Sequence, residues 1–384
     1  MSHITPQHPP LHGITVIDLG QYIATPGATQ TLADLGADVI KVEGPRGDQA
    51  RTIGPFGDSI MRAYNRRKSS VVIDLKTERG IEQVKALISD ADVVVSNLRP
   101  GAADRLGLSS ETIRTLNPGV IFAEVTGFGK TGPSRQRPGL DIAAQAESGL
   151  MYVTGERDGE PQRVGAPIID HATSYVLAQA ILASLFRRER TDAGDHIEVS
   201  LLDVALDLQA VNWADYSYGA KPVRQGNGQA LAAPAADHFP TADGSIVVSA
   251  YTDGKFSALC ELAGVPDLPT DPRFTDNPSR VRNREALLEI LRPHFAALTS
   301  DEALRLLTGV GIVAGAVRSY DQARDSGDVV ASGVFVDAVD SKGEHYSIPG
   351  LPYQATSVPR GDNGGTVPAL GSDTDRILGS LSLN

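Results

Sequence analysis

The sequence predicts an α/β protein: a large domain on a parallel β-sheet, joined to a smaller α+β domain. Three observations carry this. Short Val/Ile-rich strands alternate with amphipathic helices through Val125. Composition shifts near Lys221, where Gly, Pro and Ala accumulate up to about residue 245. Strand signals then resume, with a last set from Val334 onward. The expected boundaries are 1–220 for the first part of the large domain, 221–328 for the small domain and 329–384 for a return to the large one.

Residues 1–12 read as a loose leader. Ile14–Asp18 is a short buried strand, Gln30–Leu35 a helix stopped by Gly36, and Asp38–Glu43 the next strand: a βαβ unit. Ser70–Asp74 is a strand. Thr77–Ser89 is a helix with Ile81, Val84, Leu87 and Ile88 on one face. Asp92–Ser96 and Gly119–Val125 are strands. Such apolar strands belong to a parallel sheet covered on both faces, and ligands of such sheets bind at the carboxyl ends of strands. The candidate ligand loops therefore follow Asp18, Glu43, Asp74, Ser96 and Val125.

Those loops are rich in cations although the chain carries a net charge of −12. Arg51, Arg66, Arg67, Lys68, Lys76, Arg99 and Arg105 all fall near them. Any one of these reads equally well as solvated surface charge. Together they point to a polyanion such as a nucleotide phosphate. The phosphate loop is not a familiar one. Leu19–Pro26 lacks G-x-G-x-x-G, and Gly127-Phe-Gly-Lys-Thr131 has Glu124 where a P-loop needs its first Gly.

Asp170 is the candidate reactive residue. Ile168-Ile169 reads as the end of a strand or turn, and His171 to about Arg188 as a long Ala/Leu-rich helix. Asp170 then stands at the helix N-terminus between apolar neighbours. One reading is an N-cap, accepting free backbone N–H groups. The other is a nucleophilic carboxylate, kept ionised by those N–H groups and shielded from water. This stretch alone leaves both open.

The remainder follows the same logic. Asp195–Ser200 is a strand, and Ser200 caps a helix running to about Tyr218. Ser245–Ala250 is a strand, with helices near 254–263, 281–298 and 301–309, and Val310–Val317 a Gly-broken strand. Val334–Ala338 is a strand, and a short helix runs from Asp373 to about Leu381.

Composition excludes several classes. No stretch is basic enough to track a nucleic acid. The lone Cys260 forbids an intrachain disulfide, reads as a core residue, and fits a reducing, cytoplasmic compartment. The N-terminus has neither the basic nor the apolar region of a signal peptide, and no run of 18 apolar residues suggests a membrane span. His8 and His12 are separated by prolines, and H-E-x-x-H is absent, so no metal site is expected.

Several segments in one order carry a resemblance. They are Leu32–Glu43, Gly47–Arg51, Asn65–Lys68 with Asp74–Lys76, Asn97–Gly101, Asp141 with Gln145, Ser148–Met151, the Asp170 stretch, Val199–Asp203, Thr241–Gly244 and Asp271–Phe274. From Gly13 to about Gly379 the chain resembles family III CoA-transferases, the group with formyl-CoA transferase, carnitine CoA-transferase and α-methylacyl-CoA racemase. The resemblance implies a Rossmann-like large domain made from both chain ends, a small domain between them, and an interlocked homodimer. It implies that Asp170 attacks an acyl-CoA thioester, forming an anhydride and then an aspartyl-CoA thioester from which a free carboxylic acid collects CoA. CoA contacts would fall on Ile23, Ala24, Ile73, Lys76, Asn97, Leu98, Arg99, Arg105 and Arg137. Backbone N–H groups near Gly149 and Gly226–Gly228 would stabilise oxyanions. CoA enters as substrate; no cofactor, metal, nucleic acid or membrane is implied. The alternatives are 2-methylacyl-CoA racemisation or another α-proton reaction, and a non-catalytic acyl-CoA binder. The family's racemases carry His where this chain has Leu140, which disfavours racemisation. Thr25 replaces a family Gly and is expected to narrow the approach to the CoA arm. The glycine loop lacks the long Gly run of formyl-CoA transferase.

Overall fold

The computed structural model describes residues 8–229, 235–361 and 364–381. Residues 1–7 of the expected leader and 230–234 of the expected linker lie outside them. The chain separates into two compact units. One holds the stretches up to Leu150, Val164–Ser217 and from Asp328 on; the other holds Met151–Arg163 and Tyr218–Gly327.

The first unit is built on six parallel strands: β1 (Thr15–Asp18), β2 (Asp38–Glu43), β3 (Ser69–Val72), β4 (Val93–Ser96), β5 (Ile121–Thr126) and β6 (Asp195–Ser200). Their order is β3-β2-β1-β4-β5-β6. Alternate residues go to opposite faces, as the pleat requires. Val16, Val93, Val95 and Ile121 pack under a helix at Ala24–Asp34 and a long helix at Ile168–Thr191. Ile17, Val94 and Phe122 meet Val84, Leu87 and Ile88 of the helix Glu78–Ser89 on the other face. The two helices of the first face approach closely: a Cβ on Gly27 would fall 2.8 Å from Ser174 Cβ.

The long helix buries Ile169, Thr173, Leu177, Ala178, Ile181 and Leu185, a stripe at helical spacing. By length and composition alone it could cross a bilayer; that buried stripe is also what a core helix needs. It begins three residues earlier than expected. The pair Ile168-Ile169 is helical, so Asp170 lies inside the first turn rather than at the cap. The helix at Ala24–Asp34 likewise starts earlier, and the one after Ser200 is split into Leu201–Asp207 and Ala210–Ser217. Ser200 does cap it, accepting from Asp203 N at 3.0 Å.

The C-terminal stretch covers the sheet edge. Ser70 N donates to Asp373 and Val72 N to Thr374, so β3 offers no bare edge there. A short sheet of β10 (Phe335–Val339), β11 (His345–Pro349) and β12 (Gly365–Thr366) belongs to this unit.

The second unit has an antiparallel sheet of β7 (Asp237–Pro240), β8 (Ser245–Ser249) and β9 (Val313–Ala316). β7 falls in the stretch expected as linker, because a His-Phe-Pro strand gives little alternation. Its core of Phe239, Phe256, Phe274, Leu287, Leu291 and Phe295 also contains Cys260.

Candidate active site

In the strand order above, β1 and β4 are neighbours whose connections diverge to opposite sides, and this opens a crevice at their carboxyl ends. The two loops at that crevice are stapled together. Asn97 Oδ1 accepts from Gln21 N and Asn97 Nδ2 donates to Gln21 O, each at 2.9 Å. Tyr22 sits in the left-handed region at φ 64°, unusual for an aromatic residue. Asp48 Oδ1 accepts from its N–H at 3.2 Å, and its hydroxyl donates to Gln49 at 2.9 Å.

A cleft of about 420 Å³ opens here. It gathers Ile23, Ala24, Asn97, Leu98, Arg99, Arg105, Arg137 and Asp170, residues far apart in sequence. Two expected contacts are not among its walls. Ile73 is buried in the apolar layer under the sheet, and Lys76 is exposed in the turn before the next helix. Thr25 does not narrow the cleft either: it is fully buried, and its Oγ1 sits where a Cβ on Gly20 would go.

The cation cluster also needs correction. Lys68 Nζ is enclosed by Asp18, Thr29, Asn65 and the Pro26 carbonyl. Arg51 is paired to Glu43, and Arg66 to Asp34. These charges hold the fold. Burying a cation is tolerated only with such partners. Sequence cannot separate a buried cation from an exposed one at the same strand end. Arg137 lines the cleft but is paired to Glu147 and stacked on Phe128. Arg99 and Arg105 are exposed at the cleft, and among the described residues neither forms an ion pair.

Asp170 is half-buried on the cleft wall. Among the described residues no donor is bonded to its carboxylate. It does not cap the helix, because Asp141 does. Asp141 Oδ2 accepts from Ile169 N at 2.7 Å and from Asp170 N at 3.1 Å. Asp141 is in turn held by Gln145 Nε2, and the Gln145 Oε1 accepts from Val164 N at 2.9 Å. The cap comes from a helix 29 positions earlier in the chain, where local pattern does not reach.

The electrostatics follow from that substitution. The helix-end N–H groups are spent on Asp141, so they do not hold Asp170 ionised. Burial, with the Asp141 charge adding to it, pushes Asp170 up to about 7. A carboxyl so displaced in a cleft is a functional-site signal. Beside it, Tyr64 Oη and His171 Nδ1 lie 3.3 Å apart. Burial, together with the charges of Asp170 and Tyr175, pushes Tyr64 up to about 12, and burial lowers His171. Tyr64 was not singled out from sequence, and no motif marks it.

Of the expected oxyanion donors, Gly226 N–H already donates to Gly155 O at 3.1 Å, and Gly149 lies outside the cleft walls. Among the described residues one group has metal-ligand spacing, Glu124, His196 and Glu198. The Lys130 ammonium bridges both of those carboxylates.

The model of CoA-transferase family III matches residues 11–374. This chain belongs to that family. Its relatives include succinate–glutarate CoA-transferase of Agrobacterium fabrum, 36% identical over 88% of this chain and 87% of that one. Succinyl-CoA:mesaconate CoA-transferase of Haloarcula hispanica is 36% identical over 96% of this chain and 95% of that one. Among solved structures, a CaiB/BaiF family protein from Brucella suis superposes with a TM-score of 0.87 at 34% identity, covering 98% of this chain and all of that one. Among the described residues of this family III chain, then, the crevice at β1 and β4 carries the unbonded Asp170 carboxylate and the Arg99 and Arg105 guanidinium groups, neither in an ion pair.

Proposed function

We propose that this protein transfers CoA from an acyl-CoA thioester to a free carboxylic acid, with Asp170 as the nucleophile. The observation that carries the proposal is the unbonded Asp170 carboxylate on the cleft wall, relieved of capping by Asp141. A carboxylate that secures no backbone is available for bond formation.

An Asp170 oxygen attacks the thioester carbonyl carbon; a C–O bond forms, the C–S bond breaks, and CoA thiolate leaves. The thiolate attacks the Asp170 carbonyl of the anhydride, giving an aspartyl-CoA thioester and releasing the donor acid. The acceptor carboxylate attacks that thioester and expels the thiolate again. The thiolate then takes the acceptor acyl group, and Asp170 returns as a carboxylate. Arg99 and Arg105 supply cations for the phosphate-bearing part of CoA. The relatives named for dicarboxylate CoA-transfer favour a carboxylate acceptor here too.

We also propose a homodimer. The helix Ala210–Ser217 buries none of its residues, and Val211 and Tyr216 are 76% and 57% exposed. An apolar face of this kind calls for a partner surface. The test of the reaction is Asp170→Ala: exchange between succinyl-CoA and free dicarboxylic acids should vanish while CoA still binds. Retained exchange would refute the assignment.

A further inference from the structure

The second unit contains a cavity of about 350 Å³ that the transfer reaction does not use. Four arginines line it: Arg157, Arg224, Arg282 and Arg284. Only Arg284 is neutralised, by Asp237 and Glu285. Among the described residues Arg157, Arg224 and Arg282 form no ion pair. Arg224 is fixed in place by neutral acceptors, donating to Glu156 O at 3.2 Å and Tyr152 O at 3.0 Å. Arg282 donates to Ser279 Oγ at 2.8 Å. These bonds orient the Arg224 and Arg282 guanidinium groups without an ion pair, although Asp276 acts on Arg282 through space. Among the described residues the buried Arg284 Nε has no hydrogen-bond partner.

A helix end faces the same space. The helix Arg284–Ala296 has 13 residues, and no side chain caps it. The Asn283 amide turns away and donates to Ser279 O and Arg273 O. First-turn residues Arg284, Glu285 and Ala286 line the cavity, so the positive end of the helix dipole adds to the arginine field. Like charges held around one cavity repel unless an anion joins them.

We infer that this cavity binds a small polyanion carrying two or more carboxylate or phosphate groups. The inference is independent of the transfer reading, because its readout is binding and not turnover. The full-length protein is titrated by calorimetry with inorganic pyrophosphate and, separately, with citrate, both in saturating CoA. The probe that binds distinguishes a phosphate ligand from a carboxylate one. Affinity for the binding probe should fall roughly tenfold or more in R157A/R282A, and stay unchanged in R99A/R105A. Arg157→Gln alone, at an exposed side chain, should shift it in the same direction by less. Undiminished affinity in R157A/R282A, loss confined to R99A/R105A, or no binding of either probe would overturn the inference.

Discussion

At the scale of single residues, two carboxylates divide the roles. Asp141 fastens the long helix and Asp170 is left free. The raised pKa of Asp170 gives a pH profile with a definite sign. The proposed nucleophile reacts in its ionised form, so kcat/KM should climb with pH and reach half its plateau near 7. Stability runs the other way. The folded pKa lies above the ordinary 3.8, so Asp170 favours the fold below pH 4 and loses that contribution as pH rises through 7. Asp170→Asn should therefore raise the melting temperature at pH 8, by a stabilisation of about 1–2 kcal/mol, and leave it unchanged near pH 3. Thermal melts at the two pH values decide this. Asp141→Asn removes the neighbouring charge that helps raise Asp170, so the acid limb of the rate profile should move to lower pH. A merely structural Asp141 would lower kcat at every pH and leave the limb in place.

At the scale of elements, the strands were legible because buried parallel strands need unbroken Val and Ile, and β1 through β6 supply them. The helix start was not. Ile168-Ile169 is β-branched and follows Pro167, a local pattern that reads as extended chain. Its cap is set by Asp141 in another element, so tertiary contact overrides local preference. The cleft was legible through the loops after β1 and β4, where Arg99 and Arg105 proved open. Lys68, Arg51 and Arg66 looked identical in sequence, yet they end inside, on Asp18, Glu43 and Asp34. The staple between the loops makes its own prediction. Asn97→Ala removes two part-buried hydrogen bonds and should cost about 1–3 kcal/mol in denaturant unfolding. It should also raise KM for acyl-CoA more than it lowers kcat, since the loops that line the cleft lose their mutual register.

At the scale of the whole molecule, the family resemblance supplied what periodicity does not: the assignment of Asp170 and the expectation of paired chains. The exposed face of the helix Ala210–Ser217 makes that expectation testable. Light scattering should give twice the chain mass at micromolar concentration, and Val211→Glu with Tyr216→Glu should lower it toward one chain. A single-chain mass for the unaltered protein would remove the dimer from the account.

Covalent acylation of Asp170 during turnover is open to chemical trapping. The protein is incubated with succinyl-CoA, quenched with hydroxylamine, digested and read by mass spectrometry. The expected product is a hydroxamate on Asp170 in the peptide that spans Ile168–Tyr175, present only when acyl-CoA was supplied. An unmodified Asp170 in protein that is exchanging CoA would contradict it.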